Sequence, residues 1–515
     1  SMKNDGRDIY PLSYYETSEW HPSVDNNGML VYTRWDYTDR EDCLGSLFWI
    51  AYPDGRDPRA PHGNYPFPWH TFEDNTHGDH RFGRCPDAPS ALPMSEMHTR
   101  SLPNSSRYVT TLSVHHGESF GTLGILDLRL KDDYHFSQLR RVTPYAPLPE
   151  SEIGGRQHYK YGTAWPVTDD LFICNRWEDL VLVDKYGNEE LVCEREILPL
   201  DGYDPRLRLT HPKPLRARPK PPIIPQRTAQ GEDFRDADQR ATIGVINVNV
   251  TDQPFPKDRK PTRLRVLQVI PKHDPWMDKP YIGYGKENTP RVVLGTTPIE
   301  ADGSAYFEAP AGRLLIFQVV DENNAVIQTM RSAAFVHPGE RLTCIGCHES
   351  KQETYPSTRI QPLAFQREAK KLEAECGIQG PISYNLQIKP IMEQRCIGCH
   401  QKEKKGPQDM SYEGLRPYAH WFGGGFCGST MQKMYGGSRS IPGRCGAVQS
   451  RIGKAMLSPA HQARTKPEDR HTIILWLDAN SLRYTAFHDL EKQEQGALVW
   501  PLLDSDPNNV LKNLD

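Results

Sequence analysis

Short apolar runs broken by turn residues fill roughly the first 205 positions, and they come in pairs. "GMLVYTRWDYTD" is followed by "SLFWIAYPDG", which holds the turn signal Asp54-Gly55. "RYVTTLSVHHGE" is followed by "FGTLGILDLR", and "DDLFICNRW" by "DLVLVDKYGNEE". β-Branched and aromatic residues in runs this short predict strands and hairpins. Each pair ends in an apolar run with a turn or an Asp close behind, a weak internal repeat of blade length, as in a β-propeller. About 200 residues is short for six blades of about 40 each, so the propeller expected over 1–205 is small or incomplete.

The pattern then breaks. "THPKPLRARPKPPIIPQRTAQGEDFRDADQ" is dense in Pro and charge and reads as an extended linker or long crossing loop, placed at 206–240. Strand pattern returns in "TIGVINVNV", "RLRVLQVI", "SAYFEAP" and "RLLIFQVVDENNAVIQTM", with Asn323-Asn324 as a turn. This predicts a β-rich middle domain over 241–365. Residues 366–515 read as mostly helical. In "TKPEDRHTIILWLDANS" Thr465 suits a cap, Pro467 and Glu468 a first turn, and Ile473, Trp476 and Leu477 fall on one face. The expected fold class is mainly β with a helical C-terminal domain.

The totals narrow the field. A chain of 515 residues suggests about three domains. With 37% hydrophobic residues it can bury a core, and 44 prolines argue for loops and strands over long helices. A net charge of −4 without a long basic run predicts no nucleic-acid partner. No stretch approaches the ~18 apolar residues of a membrane span. No signal peptide is visible; Ser1-Met2 reads as a cloning scar, and a removed leader with a periplasmic or other extracytoplasmic location is the expectation.

Eleven cysteines include one repeated pentapeptide, CIGCH, at Cys344–His348 and again at Cys396–His400. Two thiols two residues apart can add to the two vinyl groups of a haem, and the adjacent His can reach its iron; C-x-x-C-H is the signature of a c-type haem. The rest of the coordination decides the job: a second strong ligand gives electron transfer, an open position gives chemistry. Two CxxC pairs could instead build one four-thiolate zinc site or two redox dithiols. The long separation and the His after each pair argue against zinc, and the lack of a βαβ context argues against a dithiol. Two covalent c-type haems, on Cys344, Cys347 and His348 and on Cys396, Cys399 and His400, are the reading adopted.

The surroundings of the two copies differ. "YNLQIKPIMEQRCIGCH" is a helix-like approach followed by Gly-rich loops and a terminal helix, the order of a small cytochrome c domain. Its second axial ligand should come late, from Met456, His461 or His471. His461, in a loop before the helix, is preferred; Met456 could be core and His471 a surface residue. The first copy follows strands, so its haem is expected between domains, with His337 and Tyr355 near enough in sequence to line or ligate it.

Several stretches resemble the hydrazine synthase alpha-subunit family: "SEWHPSVDNNGMLVYTRWDYTDR", "PDGRDPRAPHGNYP", "DGSAYFEAPAGRLLIFQVVDENNAVIQTMRSAAFVHPGERLTCIGCHE", and "GGSRSIPGRCGA" with "LSPAH" and "PEDRHTIILWLDANS". The specific parts are Arg-Trp-Asp-Tyr and the His-Pro-Gly-Glu-Arg approach to CxxCH. The resemblance implies a propeller, a middle domain with an active-site c-haem that joins hydroxylamine and ammonia into hydrazine, and a C-terminal domain with a bis-histidine c-haem. It implies that His348 turns to zinc while a nearby Tyr holds the iron. Here the position four after His348 is Gln352, and the first Tyr is Tyr355. It also implies beta and gamma partner subunits.

Other candidate ligands are His77, His80 and Cys85 in "HGDHRFGRCPD", for zinc, and His115 and His116 in "SVHHGES", which a blade edge could present to the first haem. Cys427 and Cys445 lie in Gly-rich loops and suit a disulfide in an oxidising compartment. No phosphate-binding loop, dinucleotide fingerprint or nucleophile elbow is present. Three functions follow: a haem oxidoreductase acting on a small molecule with a redox partner protein, a non-catalytic dihaem electron carrier or sensor, and a propeller scaffold with zinc-binding cysteines.

Overall fold

The structure is a computed structural model, and it describes residues 1–14, 18–35, 46–62, 95–113, 120–131, 137–146, 160–195, 209–230, 240–251, 253–270, 280–285, 290–347, 361–421, 440 and 442–502. The chain divides into two compact units. One is Thr17–Tyr37 with Cys43–Arg227; the other is Ser1–Glu16 with Thr38–Asp42 and Thr228–Asp515.

The first unit holds β1 (Glu19–Val24), β2 (Leu30–Trp35), β3 (Ser46–Ala51), β4 (Ser95–Ser101), β5 (Arg107–Ser113), β6 (Gly121–Asp127), β7 (Leu139–Arg141), β8 (Tyr161–Pro166), β9 (Leu171–Arg176), β10 (Asp179–Asp184) and β11 (Glu189–Cys193). They form three antiparallel meanders, β1-β2-β3, β4-β5-β6 with β7 added, and β8 to β11. Among the described residues, neighbouring meanders share one bridging pair each, Ser46 with Ser95 and Gly121 with Tyr161. Apolar faces join them instead. Val31 and Phe48 pack on Tyr108 and Leu126, and Val109 and Leu123 pack on Phe172 and Val181. This is blade-on-blade packing, and the sheet is not closed into a ring among the described residues.

The three hairpins legible in the sequence are β2-β3, β5-β6 and β9-β10. The strand that precedes each pair, β1, β4 or β8, has no apolar alternation. Each carries a bulge, which breaks the period of two. The Pro-rich segment 209–227 is not a free linker. It runs from the third meander, where Asn175 donates to the Leu209 carbonyl, to the first, where the Arg227 amide donates to Asp54 over 2.9 Å. On the way the Pro222 carbonyl packs on Gly28, where a Cβ would lie 2.4 Å from it.

In the second unit β12 (Arg240–Val245), β15 (Ala305–Pro310) and β18 (Arg341–Cys344) form one sheet, in the order β15-β12-β18. Another contains β13 (Arg263–Val269), β14 (Arg291–Pro298), β16 (Leu315–Val320), β17 (Val326–Thr329) and β19 (Gly380–Pro381), ordered β17-β16-β13-β14-β19. Ile243 and Phe307 from the first sheet meet Leu264, Val266 and Phe317 from the second in one core. The period of two then sends Arg265 to the opposite face of β13. There it meets the helix Pro467–Asp478. That face is also covered, which is why these strands read as nearly continuous apolar runs.

The helical part packs Ile388, Met392, Ile452, Ile473, Trp476 and Leu477 together. All residues from Ile473 to Asp478 are buried, so the helix is surrounded, not one-sided. Its N-cap is Lys466; the Thr465 hydroxyl instead donates to the His461 carbonyl over 2.6 Å. The first residues of the chain also belong to this unit: Tyr14 packs edge-on against Phe335 and at a tilt against His337.

Candidate functional site

The second CIGCH closes one continuous helical run, Tyr384–Ile388, Lys389–Ile391, Met392–Cys396 and Ile397–Glu403. Ser383 caps its start by accepting from the Leu386 amide. Two turns are wide: the amides of Lys389 and Ile397 donate back to the carbonyls of Tyr384 and Met392. Such turns recur at functional sites because they shift side chains around the helix. Here the second one carries Cys396 to the buried side, while Cys399 stays exposed.

Beside this run lies a cavity of about 210 Å³. Met392, Met410, Leu415, Ile452 and Met456 give it apolar walls, and Cys396, Cys399, His400 and His461 face into it with Arg395, Arg451 and Arg464. The His400 and His461 ring centres are 6.3 Å apart. Two imidazoles on one iron, each nitrogen about 2 Å from the metal, place their ring centres about 6 Å apart. Ser458 Oγ lies 3.1 Å from His461 Nδ1, which leaves Nε2 as the available nitrogen. Burial, then the nearby His400 and Arg464, push the His461 pKa down, so the ring stays neutral, as a ligand must be. The His400 Nδ1 is buried without a hydrogen-bond partner. Gly406, at φ +68°, packs on that ring edge, where a Cβ would lie 2.9 Å from His400 Cε1.

The other ligand candidates separate. Met456 lines the same cavity. His471 does not: its Nε2 lies 2.8 Å from Glu375 Oε1. Glu375 in turn binds Arg265, whose NH1 donates to Asp478 over 2.9 Å. His471 is thus engaged by Glu375, which belongs to a buried ionic bridge through Arg265 between β13 and the helix Pro467–Asp478.

The first CIGCH is built from strands. In "HPGE" the Glu340 amide donates to the His337 carbonyl over 3.0 Å, and Gly339 has φ +74°, so Pro338 and Gly339 form the centre of a tight turn into β18. β18 runs parallel to β12, with Cys344 opposite Val245. The following loop is stitched down: the Cys347 amide donates to the Val250 carbonyl over 3.0 Å. Cys344 and Cys347 lie half-buried against the sandwich core. His337 is fully buried, with Nδ1 3.1 Å from Glu340 and Nε2 3.2 Å from the Leu12 carbonyl. Both nitrogens are engaged, so as it stands His337 braces the turn and presents neither to an iron. His348, Tyr355, His77, His80, Cys85, His115, His116 and Cys427 lie outside the described residues. Cys445 is buried.

The two cysteine pairs therefore sit in different cores, and among the described residues no three His, Cys, Asp or Glu side chains are grouped to hold a metal ion. Identical pentapeptides also face different neighbours. A Cβ on Gly346 would lie 2.1 Å from the Val250 carbonyl, whereas nothing stands within 4 Å of one on Gly398. Gly346→Ala is expected to destabilise the haem-free chain by about 1–3 kcal/mol. Gly398→Ala, within a helix, is expected to be neutral or to add up to about 1 kcal/mol. Paired thermal melts check both.

Fold and sites together define a class: a blade-type β unit, a β-sandwich ending in one CxxCH motif, and a cytochrome c-like helical module built around another. Residues 263–349 match the family model described as hydrazine synthase alpha subunit middle domain. Residues 263–349 are thus similar to the middle domain of hydrazine synthase alpha subunits, in line with the resemblance read from the sequence. The structure is also similar to Kuenenia stuttgartiensis hydrazine synthase, with a TM-score of 0.64 at 14% identity, over 92% of this chain and 70% of that one. At that identity the likeness is one of fold. No curated protein matches the sequence. No helix of the described residues is long and apolar enough to cross a membrane.

Proposed function

We propose that this chain is a c-type dihaem oxidoreductase of the hydrazine synthase kind. In this reading Cys396 and Cys399 would anchor one haem, and His400 and His461 would supply the two ligands of its iron. The observation that carries it is the 6.3 Å spacing of those rings across a cavity whose walls are apolar and whose rim bears arginines. A haem held by two strong ligands supplies electron transfer; one with an open position can bind and transform a small molecule. The chain's own part is to exclude water with Met392, Met410 and Met456, to orient His461 through Ser458, and to offer Arg395, Arg451 and Arg464 to the haem's carboxylates.

Cys344 and Cys347 anchor the second haem on the end of β18. Among the described residues this motif ends a strand and is not built into a helical run as Cys396–Cys399 is, so in this reading its haem would keep an exchangeable position and act on small nitrogen compounds, hydroxylamine and ammonia by resemblance. His348 would take zinc and Tyr355 the iron. Electrons pass to a redox partner protein, beta- and gamma-type subunits complete the assembly, and the compartment is extracytoplasmic.

Mass spectrometry of protein matured in a periplasm should show two added haems. Carbon monoxide added to the reduced protein should shift about half of the haem absorbance, and Cys344→Ser with Cys347→Ser should abolish that half. Peptides with unmodified thiols throughout would sink the haem reading. Two haems that both ignore carbon monoxide would leave an electron carrier in place of an enzyme.

A further inference from the structure

The first strands of the three meanders, β1, β4 and β8, share one irregularity. Each has one residue more than its neighbour across the same step: Trp20 to Ser23 against Thr33 to Val31, Met97 to Arg100 against Thr111 to Val109, and Tyr161 to Ala164 against Arg176 to Cys174. A bulge of this kind re-aims side chains and tends to lie beside functional sites. In β1 and β4 the first residue inside the step is a histidine. His21 and His98 are held at φ 55° and 54°, a left-handed backbone that few residues other than Gly, Asn, Asp and His adopt. In β8 the matching residue is Gly162. The next, Thr163, places its Oγ1 3.1 Å from Nδ1 of His211 on the Pro-rich strap, and His211 has φ 53°.

The rings converge. Centres of His21 and His98 are 3.6 Å apart, and those of His98 and His211 are 4.9 Å apart. His98 is only 3% exposed. Nδ1 of His21, Nδ1 of His98 and Nε of Arg100 are all buried without a hydrogen-bond partner. Arg100 donates only to the carbonyls of His21 and Thr99, 3.2 and 3.0 Å away, and forms no ion pair among the described residues. Arg100, Lys213 and Arg218 also surround the Trp165 ring, at 5.9, 5.2 and 5.0 Å.

A buried guanidinium keeps its charge and is costly without a counter-charge. Burial, then Arg100 and His211, push His21 down to about 4; burial, then His21, His211 and Arg100, push His98 down to about 2. Neutral rings beside a fixed cation ease the repulsion but leave donors unused. We propose that His21, His98, His211 and Arg100 form a binding site for a small inorganic oxoanion. An anion accepts from every idle donor and supplies the missing charge, whereas a metal cation would add to the repulsion from Arg100.

This site is independent of the haem reading. Inorganic phosphate and nitrite, each titrated calorimetrically into the full haem-loaded chain, test it. At least one should bind with saturation near one equivalent. His98→Asn, whose side chain tolerates the left-handed backbone, and Arg100→Gln should each weaken that binding at least tenfold. If Arg100→Gln does not fold, the His98 variant carries the test alone. No saturable heat from either anion, unchanged affinity in folded variants, or a zinc equivalent bound through His98 instead would each overturn the assignment.

Discussion

Arg265→Leu is expected to destabilise the second unit by about 3–5 kcal/mol, the cost of stranding buried charge. The side chain is fully buried. Its Nε and NH2 donate to Glu375 over 2.7 and 2.6 Å, and its NH1 donates to Asp478 and Gln318 over 2.9 Å each. Asp478 also accepts from the amides of Val326 and Ala447, over 2.9 and 2.8 Å. One guanidinium thus ties β13 to the terminal helix that packs beside the second CIGCH. Native-state hydrogen exchange should show the amides of Pro467–Asp478 losing protection together. Protection equal to the parent's would show that the bridge stabilises nothing.

The same bridge has a pH signature. Burial works to raise the Glu375 pKa, but the Arg265 charge and hydrogen bonds, with His471 behind them, outweigh it and hold the carboxyl at about 2. A carboxyl lowered in the folded state stabilises above its ordinary value of 4.5, and that contribution disappears as pH falls toward 2. Asp478 has the opposite sign: burial raises it to about 6, so its term gains as pH falls through that value. Acid loss of the unit should therefore begin only below about pH 4.5.

His461→Ala is expected to have the largest effect on the haem module. Removing one of two imidazoles 6.3 Å apart should convert a six-coordinate, low-spin spectrum into a five-coordinate one. Capture of the vacated position by Met456, which lines the same cavity, would give a Met-ligated spectrum instead. His471→Ala should leave the spectrum unchanged, since that ring is engaged by Glu375. An unaltered spectrum in His461→Ala would return the role to Met456.

Parts of this architecture are local and could be read directly. The hairpins β2-β3, β5-β6 and β9-β10 declare themselves because their apolar alternation and turn residues lie within one short window. The turn at Pro338-Gly339 and the first turn of the terminal helix are likewise set by neighbours in the chain. CIGCH is a five-residue signal whose spacing alone suggests haem attachment, and "LSPAH" put His461 forward. The Ser458 contact that orients it needs the folded loop.

What depends on distant partners was not legible. β1, β4 and β8 lack a legible alternation because their burial comes from other meanders and their bulges break the period, so no local pattern brings together His21, His98 and His211, which lie 77 and 113 positions apart. His337 looks like a ligand until Glu340 and Leu12 occupy its nitrogens, and His471 until Glu375 does. Arg265 reads as an ordinary strand arginine; only packing on both faces of β13 turns it into a buried bridge. The sequence determined which segments become strands, helices and haem-attachment motifs, because those follow from residues a few positions apart. Tertiary structure decided which histidines are free and how two identical pentapeptides come to differ, because both depend on which surfaces the fold brings against them.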